Sequence, residues 1–252
     1  QMCIRDSYTS CMIVLFTDFG WQGPYVGQMK AVLAQQAPQQ PIIDLMHDAP
    51  VFNPHASAYL LASLVNSFPQ ETVFLAVVDP GVGTQQRRPC VLKAEGHWFV
   101  GPDNGLFNVI ARQSTEYQAW TIDWQPDSLS ASFHGRDLFA PVAAQLVLGQ
   151  SPEMTETTLA DDPEKWDLDL LEIIYLDSFG NAMTGLRGEH LNKGATLMLN
   201  DTRINYARVF SEAEAGVPFW YVNSNGLVEI AMKQSDVAQS LGLNIGTPFQ
   251  VI

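Results

Sequence analysis

The sequence predicts an α/β fold, with a layered amino-terminal α/β domain around a mainly parallel sheet and a smaller β-rich carboxy-terminal domain. Over residues 11–149, short apolar runs alternate with segments of helical spacing, as expected of βαβ units. Over residues 168–252, short strand-like runs are separated by Gly and Asn turns, which is typical of a small β domain. The chain has 252 residues, 46% of them apolar, which suffices for a sizeable core.

The predicted elements follow in order along the chain. The first domain has strands at 13–16, 42–45, 73–78, 90–94, 98–100 and 117–122, and helices at 25–36, 54–67, 106–112 and 138–148. Residues 150–167 are polar and proline-marked, and they are predicted to be a linker. The second domain has strands at 168–176, 196–199, 219–222 and 227–231. Residues 1–10 do not fit this pattern, and we expect a non-native or disordered leader there.

The charge balance argues against two classes of main partner. Lys plus Arg number 13 against 27 Asp plus Glu, which gives a formal net charge of −14. Nucleic acid and anionic membrane surfaces both require a basic face on the protein. The sequence therefore predicts that neither is the main partner.

Cysteine and histidine usage predicts neither disulfides nor a metal site. Cys3, Cys11 and Cys90 form no CxxC pair. His47 and His55 come without further ligands at a recognised metal-binding spacing. Together with the lack of a signal peptide or of an apolar run of ~18 residues, this leads us to expect a cytoplasmic protein.

The stretch FLAVVDPGVGTQQRRP, residues 74–89, combines a buried strand with a polar turn. Its apolar run stops at Asp79, so this carboxylate lies where open α/β sheets bind ligands. The glycines that follow allow a tight loop, and Arg87 and Arg88 are near enough in sequence to hold the carboxylate ionised. Taken alone, the pattern fits equally well an aspartate that caps a turn, followed by solvated arginines.

A second stretch, SFHGRDLFAP at residues 132–141, places His134 at the start of a predicted helix. With this stretch, the Asp-Pro-Gly-Val-Gly and Arg-Arg-Pro motifs resemble those of the S-adenosylmethionine hydroxide adenosyltransferase family, whose structural relatives include fluorinating and chlorinating enzymes. The resemblance extends from Ile13 to about Ala231, and four separated motifs occur in the family's order.

The resemblance implies that the carboxy-terminal domain is β-barrel-like, and it also implies an activity and an assembly. The expected reaction is hydrolysis of S-adenosylmethionine to adenosine and L-methionine by displacement at the ribose C5′, without a cofactor. The family arrangement is a homotrimer, in which each site lies between the first domain of one subunit and the second domain of a neighbour. No feature of composition or periodicity independently indicates the trimer.

For catalysis we expect Asp79 and His134 to hold and deprotonate the attacking water, and Arg87 to keep Asp79 ionised. The family usually has one residue fewer before its Arg-Arg-Pro. Alignment on that motif selects Arg87, counting from Asp79 selects Gln86, and Arg88 remains an alternative.

Substrate-binding residues are expected in both domains. Asp18 follows the first strand, where a carboxylate is able to accept both ribose hydroxyls. The resemblance places Phe52, Phe133 and Gly135 against the substrate, although Phe52 also fits a core or interface aromatic.

In the second domain, the resemblance assigns Asp177 to the amino-acid end of the substrate, Phe179 to packing on adenine and Asn181 to the adenine edge. An asparagine amide suits that edge because it offers a donor and an acceptor side by side. Ser224 is a candidate for the methionine end. Two positions depart from the family pattern: Gly23, where an acidic residue is frequent, and Asn225, where some relatives carry arginine.

Two other functions remain as alternatives. A halogenase is the nearest one, but halide-using relatives have tyrosine at the position of Asp79. The other is a non-catalytic sensor that binds S-adenosylmethionine or adenosine without turnover.

Overall fold

The computed structural model describes residues 11–81 and 88–252, which form two seven-stranded sheets with their flanking helices. The predicted leader, residues 1–10, lies outside the described residues. The first sheet has the order β2-β1-β3-β5-β4-β6-β7. Its strands are β1 (Ile13–Thr17), β2 (Ile42–Met46), β3 (Val73–Val77), β4 (Pro89–Ala94), β5 (His97–Pro102), β6 (Tyr117–Ile122) and β7 (Met154–Thr157).

Strand β1 lies between β2 and β3, and it is fully buried because both of its faces are covered. Its residues alternate between two cores, as the two-residue period of a strand requires. Ile13 and Leu15 pack with α1 (Tyr25–Gln36) and α4 (Ala140–Val147), whereas Val14 and Phe16 pack with α2 (Pro54–Leu64) and α3 (Asn108–Gln113). The predicted layered α/β architecture is confirmed.

The predicted mainly parallel sheet is confirmed only in part. The pairs β1–β2, β1–β3 and β3–β5 are parallel, whereas β4–β5, β4–β6 and β6–β7 are antiparallel. The antiparallel half arises because β4 and β5 form a tight hairpin around Gly96, which leaves no room for a crossover helix. Only the parallel half therefore brings strand ends together at one edge.

Residues 150–167 are not only a linker. Met154–Thr157 forms β7, one of the two edge strands of the first sheet, and Pro163–Lys165 forms a 3-10 turn. The sequence is polar there because an edge strand has one unpaired side that faces solvent.

The second domain is β-barrel-like, as predicted. Its sheet has the order β14-β10-β11-β12-β13-β9-β8, and only β11–β12 is parallel. The strands are β8 (Leu170–Leu176), β9 (Ala182–Arg187), β10 (Leu197–Leu199), β11 (Thr202–Tyr206), β12 (Pro218–Val222), β13 (Leu227–Met232) and β14 (Gln250–Val251), with α5 at Val237–Leu241. Backbone hydrogen bonds join edge strand β8 to residues 246–249, which lead into the opposite edge strand, so the sheet nearly closes.

Hydrogen bonds join the first domain to the end of the segment 150–167 and to the second domain. The Tyr59 hydroxyl donates to the Asp167 carbonyl at 2.8 Å, and the Tyr175 hydroxyl donates to Asp48 Oδ2 at 2.9 Å. Burial raises the pKa of Tyr59 to about 12, and burial together with Asp48 raises the pKa of Tyr175. Both phenols therefore remain donors at neutral pH. In the described part of the chain, no helix is both long and apolar enough to cross a membrane.

Candidate active site

A cavity of about 610 Å³ opens at the carboxyl ends of β1 and β3. These strands are parallel neighbours with Thr17 opposite Val77, so the side chains that follow them reach the same edge of the sheet. Residues 130–136, which precede α4, form another side of the cavity. Six residues predicted from the sequence line this cavity: Asp18, Phe52, Asp79, Phe133, His134 and Gly135.

Asp18 is bound to the loop that follows β2. The backbone N–H of Phe52 donates to Asp18 Oδ2 at 3.1 Å, and Phe52 has a left-handed φ of 56°. Non-glycine residues seldom adopt this region, so the loop conformation depends on such contacts. Burial raises the pKa of Asp18, and the hydrogen bond from Phe52 opposes that shift. Phe52 itself is 72% exposed at the cavity wall, so it is not a core residue of this chain.

Asp79 lies two residues beyond β3 and is half-buried. Its Oδ1 accepts a hydrogen bond from the Gly81 backbone N–H at 3.1 Å, which orients the carboxylate at the start of the turn. Residues 82–87 lie outside the described residues, and Arg87 is among them. The pairing of Arg87 with Asp79 therefore stays a prediction.

Arg88 is occupied by the first domain's own structure. Its guanidinium donates to Asp103 Oδ2 at 2.7 Å, to Thr157 Oγ1 at 3.2 Å and to the Thr158 carbonyl at 2.9 Å. The Asp103 side chain is only 1% exposed, so Arg88 balances a buried negative charge. These hydrogen bonds connect the start of β4 to the end of β7, and they favour a structural role for Arg88 over a catalytic one.

Three aromatic rings form one wall of the cavity. Phe19, Tyr25 and Phe133 contact one another edge to face, with ring centroids 5.4–6.0 Å apart. The Arg136 guanidinium lies 5.2 Å from the Phe133 ring and donates to Asp137 and Gln28. The sequence interpretation missed Phe19 and Tyr25 as cavity residues, although Phe19 directly follows Asp18 and Tyr25 begins α1.

A second cavity of about 650 Å³ lies in the second domain and is lined by Asp177, Phe179 and Asn181. Its described lining shares no residue with that of the first cavity. Phe179 is 78% exposed. One copy of the chain therefore divides the predicted substrate-binding residues between two separate surfaces.

Asp177 organises the turn that carries these residues. Its carboxylate accepts from the backbone N–H groups of Phe179 and Asn181, both at 2.8 Å, and from Asn181 Nδ2 at 2.9 Å. These bonds set the orientation of the Asn181 amide. Gly180 has φ +79°, and a Cβ there would lie 2.1 Å from Asp236 Cγ, so the turn requires glycine.

Ser224 lines neither of these cavities. It is exposed on the turn 223–226, between β12 and β13. Its neighbour Asn225 lines a cleft between the domains. The structure of one chain thus leaves Ser224 apart from the other predicted binding residues.

His47 is a structural residue in this fold. It is 1% exposed, its Nδ1 lies 2.8 Å from Thr17 Oγ1, and its Nε2 lies 3.1 Å from Asp44 Oδ1. Lys30 pairs with the same Asp44 at 2.7 Å. Within residues 11–81 and 88–252, no group of three or more His, Cys, Asp or Glu residues is arranged to hold a metal ion.

Comparison with known proteins gives the class of this chain. By fold, it resembles a crystal structure of an uncharacterized conserved protein from Thermotoga maritima, with a TM-score of 0.82, 29% identity, and coverage of 95% of this chain and 99% of the other. A crystal structure of a conserved hypothetical protein from Thermus thermophilus gives a TM-score of 0.77 at 35% identity, with coverage of 96% and 100%.

Sequence comparison identifies the family. The model of the SAM hydroxide adenosyltransferase N-terminal domain matches residues 13–156, and that of the C-terminal domain matches residues 171–250. The chain is 36% identical to an (R)-S-adenosyl-L-methionine hydrolase of Thermus thermophilus, over 95% of this chain and 99% of the relative. It is 23% identical to a fluorinase of Actinopolyspora mzabensis, over 98% and 99%. The chain belongs to the SAM hydroxide adenosyltransferase family, as its motifs predicted.

Proposed function

We propose that this protein hydrolyses S-adenosyl-L-methionine to adenosine and L-methionine. The observation that carries the proposal is that Asp79 and His134, from distant parts of the sequence, line one cavity together with Asp18. Several relatives that cover most of the chain, at 33–36% identity, are named (R)-S-adenosyl-L-methionine hydrolase. We therefore take the substrate to be the (R) epimer at sulfur, a distinction that the sequence motifs did not make.

The reaction is displacement at the ribose C5′. Methionine leaves as a neutral thioether, so the leaving group needs no general acid. The reaction does need a water held in line with the C5′–S bond and partly deprotonated as it attacks. In our proposal Asp79 and His134 bind this water and accept its proton, and Arg87 stabilises the negative charge on Asp79 and on the developing hydroxide.

Asp18 is assigned to the ribose. One of its oxygens already accepts the Phe52 N–H, and this fixes the carboxylate at the wall where the sugar would lie. The edges and faces of Phe19, Tyr25 and Phe133 supply apolar surface beside it. No cofactor enters this scheme, because the sulfonium makes C5′ electrophilic and methionine a good leaving group.

We propose that a homotrimer completes the site. In one chain, the cavity with Asp79 and the cavity with Asn181 have separate linings. Phe52 at the first and Phe179 at the second are 72% and 78% exposed, the highest values among the large apolar side chains that the structure describes. Apposition of the first domain of one subunit to the second domain of its neighbour would cover both rings and join the two half-sites.

The deciding experiment follows oxygen from solvent into product. The pure protein is incubated in ¹⁸O-enriched water with the (R) or the (S) epimer, with and without chloride, and the nucleoside is analysed by mass spectrometry. We expect adenosine labelled at its 5′ oxygen, formed faster from the (R) epimer and independently of chloride. A 5′-chloro nucleoside would indicate a halogenase, and intact substrate that binds without turnover would indicate a sensor. Either result would overturn the proposal.

A further inference from the structure

Glu229 is a buried carboxylate beside the second cavity that the sequence motifs do not assign to any role. It belongs to β13, is 2% exposed and lines the cavity together with Asp177 and Asn181. Among the described residues it has no basic partner, and its hydrogen bonds come from two neutral side chains. A buried carboxylate without a countercharge is costly, so a specific role for it is expected.

The two donors lie on the neighbouring strand and its turn. Tyr221 is directly opposite Glu229 in the antiparallel pair β12–β13, and its hydroxyl donates to Glu229 Oε1 at 2.5 Å. Burial, reinforced by the hydrogen bond to Glu229, raises the pKa of Tyr221, so this phenol stays protonated. Asn223, just beyond β12, donates from Nδ2 to Glu229 Oε2 at 2.7 Å.

The Asn223 amide is therefore fixed from both sides. Its Oδ1 accepts from the backbone N–H groups of Asn225, at 3.0 Å, and Leu227, at 3.1 Å. A flipped amide would turn its oxygen toward the Glu229 carboxylate and its NH₂ group toward two N–H donors. Glu229 thus selects one amide orientation, and that orientation closes the turn that carries Ser224.

We propose that Glu229 is a positioning residue, which holds the Asn223 amide and through it presents Ser224 and Asn225 to the methionine carboxylate of the substrate. This inference rests on the proposed function. Through Asn223, Glu229 connects the second cavity to the turn 223–226, whose Ser224 lines neither cavity. The ordered turn also anchors the substrate carboxylate in a chain that has Asn225 where some relatives have arginine.

The test uses two ligands that differ only in the carboxylate, S-adenosylmethionine and its decarboxylated analogue. Asn223→Asp places a carboxylate against Glu229 and removes the Nδ2 donor. We expect this variant to lose about tenfold in affinity and in kcat/KM for S-adenosylmethionine, with much less change for the analogue. A merely structural defect would lower the affinity and kcat/KM for both ligands alike.

The double variant Asn223→Asp with Glu229→Gln reverses the polarity of the pair. The introduced amide donates to the introduced carboxylate, whose other oxygen still accepts from the turn. We expect recovery of most of the discrimination between the two ligands. Glu212→Gln, an exposed carboxylate paired with Arg208 in the same domain, is the matched control for loss of one charge.

Binding and turnover are measured separately, by calorimetry and by adenosine release. If the wild type binds S-adenosylmethionine without turnover, while Asn223→Asp shows selective loss and the double variant recovers, the proposed reaction fails and the role of Glu229 stands. If Asn223→Asp weakens both ligands equally, or the double variant does not recover, the role of Glu229 is overturned, whatever the turnover.

Discussion

The two cavities differ in the chemistry that their surroundings permit. The first, at the carboxyl ends of β1 and β3, combines a carboxylate, Asp79, with an imidazole, His134, the two groups to which we assign acid–base chemistry. The second lies on a largely antiparallel sheet, and its described lining contains carboxylates and amides but no Lys, Arg or His. Asp177 there is occupied by its own turn.

The difference indicates a division of labour. Parallel strands bring polar side chains from distant motifs to one edge, which is what acid–base chemistry requires. A self-bonded turn holds donors and acceptors at fixed angles, which is what recognition of a planar ligand requires. Changes of Asp79 or His134 in the first cavity should therefore affect turnover, and changes in the second cavity should affect binding.

The largest effect is expected from Asp79→Asn. The new amide oxygen is still able to accept from the Gly81 N–H, but the group no longer accepts a proton. Turnover should fall about 100-fold or more, with ligand affinity little changed. Steady-state kinetics and calorimetry check this result. Loss of binding with unchanged kcat would break the comparison.

The substitution Arg88→Met tests whether Arg88 has a structural role or a catalytic one. It leaves the buried Asp103 carboxylate without its cation, so the free energy of unfolding should decrease by about 2 kcal/mol. Turnover per folded molecule should stay unchanged. Denaturant unfolding measures the free energy of unfolding. Steady-state kinetics at a temperature where the variant stays folded measure turnover. Arg208→Met, in an exposed pair, is the control and should cost less than about 1 kcal/mol.

In the second cavity, Asn181→Ala removes the amide that Asp177 orients. KM should rise about tenfold while kcat changes little, since our proposal places the reacting atoms in the first cavity. Initial-rate kinetics test this, with the exposed Ser178→Ala on the same turn as control. A fall in kcat at unchanged KM would mean that the two cavities do not divide binding from chemistry.

The smallest expected effect concerns acid stability. His97 is 2% exposed between Phe74 and Phe99, and burial lowers its pKa below the ordinary value of 6.5. The unfolded chain therefore takes up this proton more readily, so stability is full above pH 6.5 and declines as the pH falls below it.

His97→Phe should make stability less dependent on pH below 6.5. Thermal unfolding measured across this range tests it, and an unchanged slope would contradict the role of His97. The activity of the same variant is measured over the same pH range. Any acid inactivation that remains does not come from protonation of His97.

Much of the first domain follows from local pattern. Helix α1 has the predicted bounds, Tyr25–Gln36, and β1 and β3 differ from prediction by one residue. Apolar runs bounded by turn residues locate buried strands, and a carboxylate at such a strand's end predicts a ligand edge. Asp18 and Asp79 were accordingly placed at one edge, and they line one cavity.

Other features required contacts between residues distant in sequence. No strong local signal marks three of the strands, the polar β7 and the weakly apolar β9 and β11, because pairing with a neighbour stabilises them. The antiparallel direction of β4 likewise depends on its pairing. The role of Arg88 follows from Asp103, and that of Glu229 from Tyr221 and Asn223.

The sequence by itself thus determined the fold class, the family and six residues of the first cavity, since periodicity and motif spacing are local properties of the chain. Tertiary structure decided which other residues meet them. It brought His134 into the cavity with Asp18 and Asp79, placed Asn181 in another cavity, and paired Arg88 with Asp103. The physical reason is that burial and charge pairing depend on neighbours in space, which the linear order of residues does not contain.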